Sequence, residues 1–168
     1  WVASALADAA HIEDGNTVLE IGPGTGALTR ELISRGARVL AIEKDETLVA
    51  TLHEVFAEPI KNGDLTVISD DIRNVKPESL GLSKGAYTIA ANIPYYITGE
   101  IIRQFLSADA QPRTMALLVQ KEVAQRIARS KKESILSLSV KVYGTPRLVK
   151  TVGRGNFSPP PSVDSAIL

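Results

Sequence analysis

The feature that most constrains this chain is a glycine-rich turn, Gly22-Pro23-Gly24-Thr25-Gly26, directly after the short apolar segment Thr17–Ile21. Glycines let a backbone approach a ligand closely, and a helix that begins after such a turn presents its first N–H groups to that ligand. Ala27–Ser34 has helical apolar spacing, with Gly36 after it as a C-cap. A strand, a glycine turn and a helix in this order predict an α/β sheet with a nucleotide-like ligand at its edge.

The rest of the chain alternates short apolar segments with helical ones. We predict further strands over residues 38–43, 65–68, 87–91 and 115–119, and helices over residues 2–10, 46–56, 99–107 and 120–130. Strands that are apolar throughout are typical of a mostly parallel sheet with helices on both faces.

The last third of the chain is less regular. Residues 134–143 fit either an alternating strand or a buried helix. Leu148-Val149 and residues 163–168 fit late strands, and the proline-rich residues 157–161 between them exclude regular structure.

Size and composition limit the class of protein. A chain of 168 residues, 44% hydrophobic, predicts one domain with a core of its own. Without cysteine, and with only two separated histidines, neither a disulfide framework nor a metal site is expected. No apolar run reaches the length of a membrane span and no basic leader precedes Trp1, so we expect a cytoplasmic protein that does not enter a membrane.

The charges balance overall but are unevenly placed. Residues 1–119 hold 10 Lys and Arg against 16 Asp and Glu, whereas residues 120–156 hold nine basic and two acidic residues. One basic stretch on a neutral protein can guide a nucleic acid to one face, although a solvated helix with a lysine-rich loop explains the charges equally well. The candidates for nucleic-acid contact are Lys121, Arg126, Arg129, Lys131 and Lys132.

Acidic residues at the ends of the first three strands indicate which ligand the turn binds. Glu20 suits a cationic ligand end, such as an amino group or a sulfonium, better than a pyrophosphate. Glu43, 21 residues after Gly22, can accept both hydroxyl protons of a ribose, which nicotinamide and adenosyl cofactors share. Asp70-Asp71 can accept the amino proton of an adenine or cap the following loop.

The tetrapeptide Asn92-Ile93-Pro94-Tyr95 follows the fourth strand, where catalytic groups of open α/β sheets usually lie. An adenine amine is a poor nucleophile because its lone pair is delocalised into the ring. The Asn92 amide oxygen and the Ile93 carbonyl can accept hydrogen bonds from that amine. Pro94 fixes the backbone, and the ring of Tyr95 offers a face on which a flipped base can stack. An ordinary Asn-x-Pro turn is the alternative, but with the glycine turn and Glu43 present the sequence favours metal-free methyl transfer to a base.

On these segments the chain resembles the ribosomal RNA adenine N6-dimethyltransferases, which act near the 3′ end of small-subunit RNA. The matching segments stand in family order: residues 20–29 (EIGPGTGALT), 42–45 (IEKD), Asp71, 92–98 (NIPYYIT), 119–124 (VQKEVA) and 157–165 (FSPPPSVDS). Many methyltransferases share the glycine turn, whereas the last three segments together are much more specific.

The resemblance implies a class I S-adenosylmethionine-dependent methyltransferase fold, which is Rossmann-like, and a helix over residues 134–143. It implies dimethylation of adjacent adenines by a monomer whose partner is small-subunit ribosomal RNA or a pre-ribosomal particle. Phe157 and the proline loop are expected to hold the target base opposite Tyr95. The candidates for cofactor binding are Glu20, Gly22, Gly24, Glu43, Asp71 and Asn92.

Two family segments do not occur here: a Gln-Asn-Phe-Leu segment before Trp1 and a helical domain after Leu168. We therefore expect residues 1–168 to be the catalytic domain of a longer protein. Within the chain, Ile135-Leu136 stands where the family usually has Tyr-Gly.

Three other functions remain open. A large-subunit methyltransferase of the macrolide-resistance type shares Asn-Ile-Pro-Tyr, although Gln120-Lys121-Glu122-Val123 favours the small-subunit enzyme. A non-catalytic RNA-binding assembly factor can keep the same fold, but the intact tetrapeptide argues against it. A nicotinamide oxidoreductase fits the glycines, with Ala27 in the last position of the dinucleotide fingerprint, but no hydride-transfer partner is evident.

Overall fold

The computed structural model describes all residues from Trp1 to Leu168 and confirms the predicted α/β architecture. One sheet contains seven strands: β1 (Thr17–Ile21), β2 (Arg38–Glu43), β3 (Leu65–Ser69), β4 (Thr88–Asn92), β5 (Thr114–Gln120), β6 (Lys150–Val152) and β7 (Ser165–Ile167). Seven helices accompany it: α1 (Val2–Ala9), α2 (Ala27–Ser34), α3 (Glu46–Val55), α4 (Ala57–Asn62), α5 (Thr98–Leu106), α6 (Lys121–Ala128) and α7 (Ile135–Tyr143).

The strand order, β3-β2-β1-β4-β5-β7-β6, determines where a ligand can bind. β1 to β5 pair in parallel, and β7 runs antiparallel between β5 and β6. The chain moves outward from β1 to β3 and then returns to place β4 on the other side of β1. Loops on either side of that reversal diverge, which opens a crevice at the carboxyl ends of the strands.

Alternate residues of the strands pack into separate cores on the two faces of the sheet. On one face, Leu19 of β1 and Ile89 of β4 pack with Phe105 of α5. On the other, Val18 and Val39 pack with Leu32 of α2. All these side chains are fully buried, which explains why the strands are apolar at consecutive positions.

The predicted C-cap at Gly36 is confirmed, and the helix after β2 has a cap of its own. Gly36 follows α2 with φ of +80°. Asp45 caps α3, and its carboxylate accepts hydrogen bonds from the N–H groups of Thr47 at 2.8 Å and Leu48 at 3.2 Å. Gly26 has φ of +86°, and a Cβ there would lie 2.3 Å from the Phe56 ring, so this turn needs glycine to pack against the end of α3.

Residues 134–143 resolve as a helix. Ser134 and Ser137 form a reciprocal capping box at its start. Leu136 and Val140 pack on the core, whereas Leu138 and Val142 are exposed. The two exposed positions are apolar like the two buried ones, so apolar residues recur at every second position as in a strand. Within the buried pair and within the exposed pair, the two residues are four positions apart, which is about one helical turn.

Two further boundaries differ from the sequence prediction. The strand predicted at Leu148-Val149 lies at Lys150–Val152 instead, because Lys150 pairs with Ile167 and Val152 with Ser165. Helix α4 was not predicted; it follows α3 directly in the chain and ends at Gly63, whose φ is +83°.

The structure also contains one buried hydroxyl without a partner. Thr88 in β4 is fully buried, and its Oγ1 makes no hydrogen bond. No helix is long and apolar enough to cross a membrane. No group of three or more His, Cys, Asp and Glu side chains is placed to hold a metal ion.

Candidate functional site

Four predicted cofactor residues meet in one cavity of about 170 Å³ at the carboxyl edge of the sheet. The cavity lies at the ends of β1 to β4, and its lining includes Gly22, Glu43, Asp71 and Asn92, together with Pro94. Pockets that enclose a drug-sized ligand usually exceed roughly 300 Å³, so this cavity can enclose only part of such a ligand. The rest of a ligand would lie over the open glycine turn.

The glycine turn has the backbone that a close ligand approach requires. Gly22 and Gly24 have φ of +64° and +58°, a region that side chains with a Cβ rarely adopt. A Cβ built on either residue would meet no atom within 4 Å, so the space above both glycines is open. The Gly22 N–H donates to the Ile42 carbonyl at 2.9 Å, which holds the turn beside the end of β2.

Glu43 joins the first two loops of the site. The residue is only 7% exposed. Oε2 of its carboxylate accepts a hydrogen bond from the Gly24 N–H at 3.2 Å, and Oε1 accepts one from the Asp45 N–H at 3.0 Å. An ionised carboxylate has about four acceptor positions, so both oxygens can also accept from a ligand. A pair of ribose hydroxyls fits this arrangement.

Glu20 lies beneath the turn and does not line the cavity. The residue is 1% exposed, Thr29 Oγ1 donates to its Oε2 at 2.7 Å, and Oε1 has no partner. Burial raises the pKa of Glu20 to about 8, and the charge of Glu43 acts in the same direction. Glu20 is therefore largely protonated at neutral pH, and its attraction for a cation would require it to ionise.

Asp71 lies at the cavity edge but is already paired. The Arg73 guanidinium contacts both carboxylate oxygens, at 3.0 Å from Nε to Oδ1 and 2.6 Å from Nη2 to Oδ2. The Asp71 carboxylate also accepts the Arg73 backbone N–H, and together these bonds lower the pKa of Asp71 to about 2. An adenine amino group would share this carboxylate with Arg73.

The predicted base-binding tetrapeptide leaves the sheet beside the cavity. Asn92 closes β4 opposite Leu118, and the side chains of Asn92 and Pro94 are exposed. Ile93 is 1% exposed, which fixes its position, and no backbone hydrogen bond uses its carbonyl. Tyr95 is half-buried and begins a short 3-10 turn.

Three residues near the tetrapeptide were missed by sequence reasoning. Tyr96 is 75% exposed and lines the cavity, where the Lys44 ammonium donates to its hydroxyl at 3.4 Å. Ser165 shares a hydrogen bond of 2.6 Å with the Tyr95 hydroxyl. Arg73 is the third. The only sequence signal for Ser165 was its place in the segment 157–165, and nothing pointed to a partner 70 residues earlier.

Phe157 is partly buried against the core that contains α2 and α3. Ile93 and Ile97, on either side of Tyr95, belong to the core on the other face of the sheet. The two aromatic residues that were predicted to hold a base are thus supported from opposite faces. Their joint action on a base stays a prediction.

The predicted basic surface is partly neutralised by acidic neighbours. Arg126 pairs with Glu122 at 2.7 Å, and the Lys121 ammonium lies 4.0 Å from Asp164. Arg129 follows the last residue of α6 as its C-cap, and the loop after it carries Lys131 and Lys132, both exposed. A polar cavity of about 430 Å³, lined by Lys121 but not by Lys131 or Lys132, lies between the start of α6 and residues 162–164.

Comparison with known proteins gives one consistent result. Residues 2–168 match the family model described as ribosomal RNA adenine dimethylase. The ribosomal RNA small subunit methyltransferase A of Dehalococcoides mccartyi strain 195 is 45% identical over 162 residues, which are 95% of this chain and 54% of that protein. The chain thus spans little more than half the length of this relative.

Two solved structures are similar over 99% of the chain. The 23S rRNA methyltransferase ErmE superposes with a TM-score of 0.83 at 29% identity and is covered over 65% of its length. A dimethyladenosine transferase from Plasmodium falciparum superposes with a TM-score of 0.82 at 30% identity and is covered over 59%. The predicted class I methyltransferase fold is therefore confirmed.

The buried state of Glu20 predicts a pH dependence of stability. Its pKa rises from 4.5 to about 8 on folding, so the native state binds more protons between these values and its stability falls as pH rises. Glu20→Gln removes this titration. Relative to the wild type, we expect the variant to gain more than about 1 kcal/mol in free energy of unfolding between about pH 5 and pH 8.

Urea unfolding of the ligand-free protein at both pH values measures this difference. Glu54→Gln, at an exposed glutamate of α3, is the matched control and should behave as the wild type. An equal difference between Glu20→Gln and wild type at both pH values would show that Glu20 does not titrate in this range.

Proposed function

Because the chain belongs to the ribosomal RNA adenine dimethylase family, we propose that it transfers methyl groups from S-adenosylmethionine to the exocyclic N6 of adenines in small-subunit ribosomal RNA. The proposal rests on one observation. Candidate cofactor residues and residues at the end of β4 line the same cavity: Gly22, Glu43, Asp71, Asn92 and Pro94. We further propose that the chain is the catalytic domain of a cytoplasmic protein with the length of its relatives, and that its targets are two adjacent adenines near the 3′ end.

The residues at the cavity fit S-adenosylmethionine. Glu43 offers two buried acceptor oxygens to the ribose hydroxyls, and Asp71 offers an acceptor to the adenine amine. The open glycine turn leaves room for the amino-acid part of the cofactor above Gly22 and Gly24. The orphaned Oε1 of Glu20 belongs to the buried end of β1 just before this turn, and an ammonium or sulfonium bound at the turn would favour its ionised form. S-adenosylmethionine supplies a methyl group on a positively charged sulfur.

The residues after β4 would orient the target amine. The Asn92 amide oxygen and the Ile93 carbonyl can each accept one N–H of the amine, which directs the nitrogen lone pair towards the cavity. Ile93 is held by its buried side chain and Pro94 by its ring, so the Ile93 carbonyl is preorganised before the base arrives. The ring of Tyr95 supplies a face for the flipped base.

A large-subunit adenine methyltransferase is the second candidate, because the 23S rRNA methyltransferase ErmE shares this fold at 29% identity. The 45% identity to a small subunit methyltransferase A and the segment Gln120-Lys121-Glu122-Val123 favour the first candidate. An assembly factor without turnover is a third, against which the intact residues 92–95 argue.

One experiment separates these candidates. The full-length protein is incubated with S-adenosylmethionine labelled in its methyl group and with unmethylated small or large ribosomal subunits, and the modified nucleotides are mapped. The proposal expects N6-methylated adenines in the small-subunit RNA alone. Label in the large-subunit RNA would support the ErmE-like function, and no label in either RNA would support the assembly factor.

The ribose site gives a prediction about cofactor affinity. Glu43→Ala should weaken S-adenosylmethionine binding by roughly 1.5–3 kcal/mol, the usual contribution of hydrogen bonds to a charged group. Isothermal titration calorimetry measures this change, and Glu46→Ala, at an exposed glutamate in the first turn of α3, is the control. Unchanged affinity in Glu43→Ala would remove the ribose role. Binding of NAD in place of S-adenosylmethionine would favour an oxidoreductase.

The basic surface gives a prediction about RNA docking. Reversing the charges of Arg129, Lys131 and Lys132 to Glu should weaken RNA binding and leave cofactor affinity unchanged. The slope of log K against log salt should become shallower by about 0.7–0.9 for each phosphate that is no longer bound. Reversal of Lys61 and Lys84, exposed residues that precede β3 and β4, is the control. If the slope does not change, the basic stretch is only a solvated surface.

The amine site gives a prediction about turnover. Asn92→Ala should lower kcat by about 100-fold or more, roughly 3 kcal/mol, because it removes an acceptor that acts on the reacting nitrogen in the transition state. RNA binding should change far less. Asn74→Ala, at an exposed asparagine that does not line the cavity, is the control, and cofactor affinity is measured in parallel because Asn92 lines the cavity. Near-normal turnover of Asn92→Ala at saturating cofactor would rule out the amine-gripping role.

A further inference from the structure

A hydrogen bond between two distant parts of the chain links the base-binding residues to the last strand. The hydroxyls of Tyr95 and Ser165 lie 2.6 Å apart, although 70 residues separate them in sequence. Tyr95 is half-buried at the start of the 3-10 turn after β4, whereas Ser165 is fully buried at the start of β7. A turn at the protein surface is thus attached to a fixed point inside the sheet.

The position of Ser165 is fixed from both sides. In the antiparallel ladders, Ser165 pairs with Gln120 of β5 and with Val152 of β6. β5 also pairs with β4, whose last residue, Asn92, lies opposite Leu118. The hydroxyl of Ser165 therefore has a fixed position relative to Asn92. Its hydrogen bond to the Tyr95 hydroxyl fixes the position of the Tyr95 ring relative to Asn92 as well.

The residues adjacent to Tyr95 in the chain fix the orientation of its ring less well than this hydrogen bond does. Pro94 and Tyr96, on either side, are both exposed. The nearest buried anchors along the chain are Ile93 and Ile97. These anchors hold the backbone of the turn, but the direction of the Tyr95 ring depends on the contact at its far end.

We propose that Ser165 is a positioning residue for methyl transfer: its hydroxyl holds the ring of Tyr95 in the orientation that receives the target adenine. This inference rests on the proposed function. Ser165 ends the segment that begins with Phe157 and the proline-rich loop, so the same hydrogen bond also couples the two segments between which the base is expected to stack. Ser165 acts through Tyr95 and has no direct role at the base or the cofactor.

A mutant cycle in the full-length protein tests the proposal. Ser165→Ala and Tyr95→Phe each remove one partner of the hydrogen bond and keep the ring of residue 95. Each should lower kcat by about tenfold, and the double variant should be no slower than either single variant because both remove the same interaction. The KM for S-adenosylmethionine should not change. Ser165→Thr, which keeps a hydroxyl, should recover part of the lost kcat.

Thr88→Val is the matched control. It removes a fully buried hydroxyl from strand β4, but one without a hydrogen-bond partner, and kcat should stay at the wild-type value. A second readout uses RNA with 2-aminopurine at the target position. Stacking on an ordered Tyr95 ring should quench its fluorescence in the wild type, and the quenching should weaken in Ser165→Ala and Tyr95→Phe.

Two results of the mutant cycle would contradict the proposal. Unchanged kcat in Tyr95→Phe, or a double variant that loses the product of the two single losses, would overturn the positioning role. Tyr95→Phe changes a residue outside the strands, so its 2-aminopurine quenching can be measured even if Ser165→Ala does not fold, and unchanged quenching in this variant would overturn the positioning role. If the wild type methylates no adenine, the proposed function is wrong. If the wild type is active and Tyr95→Phe is equally active, only the positioning role of Ser165 is wrong.

Discussion

The carboxylate of Glu43 is the point on which the geometry of the site depends. It accepts the Gly24 N–H from the first loop and the Asp45 N–H from the second, so one buried side chain fixes both loops relative to each other. The parallel register that pairs Ile21 with Ile42 places the glycine turn beside it. A buried carboxylate needs such partners, because an ionised group without them would be costly to bury. The glycine turn thus has a defined shape before any ligand binds.

The sheet extends this arrangement to the residues that would act on the base. The return of the chain to β4, on the far side of β1, brings Asn92 to the same edge as Glu43. β5 and β7 then carry the register onward to Ser165, which contacts Tyr95. The residues proposed to bind the cofactor and the base therefore lie in or directly after strands of one hydrogen-bonded sheet, which can hold two reactants in a productive geometry.

The sequence predicted the parts of the fold that local patterns determine. The limits of β1, α2 and β2 agree with the prediction, because continuous apolar strands and a glycine turn specify them directly. The pattern of α7 fits a helix or a strand because its exposed side is apolar as well. The Arg73 pairing of Asp71 and the Ser165 contact of Tyr95 could not be predicted. The first depends on which way a loop side chain turns, and the second depends on the antiparallel insertion of β7 between β5 and β6.

We propose that the cavity beside Glu43 binds the adenosyl cofactor next to Asn92. A crystal structure of the protein with S-adenosylhomocysteine tests it most directly. We expect density in which both ribose hydroxyls lie within hydrogen-bond distance of the Glu43 carboxylate, the adenine amine lies beside Asp71, and the sulfur faces Asn92. A ligand whose ribose is turned away from Glu43, or one bound in the separate groove beside α1 and α7, would contradict it.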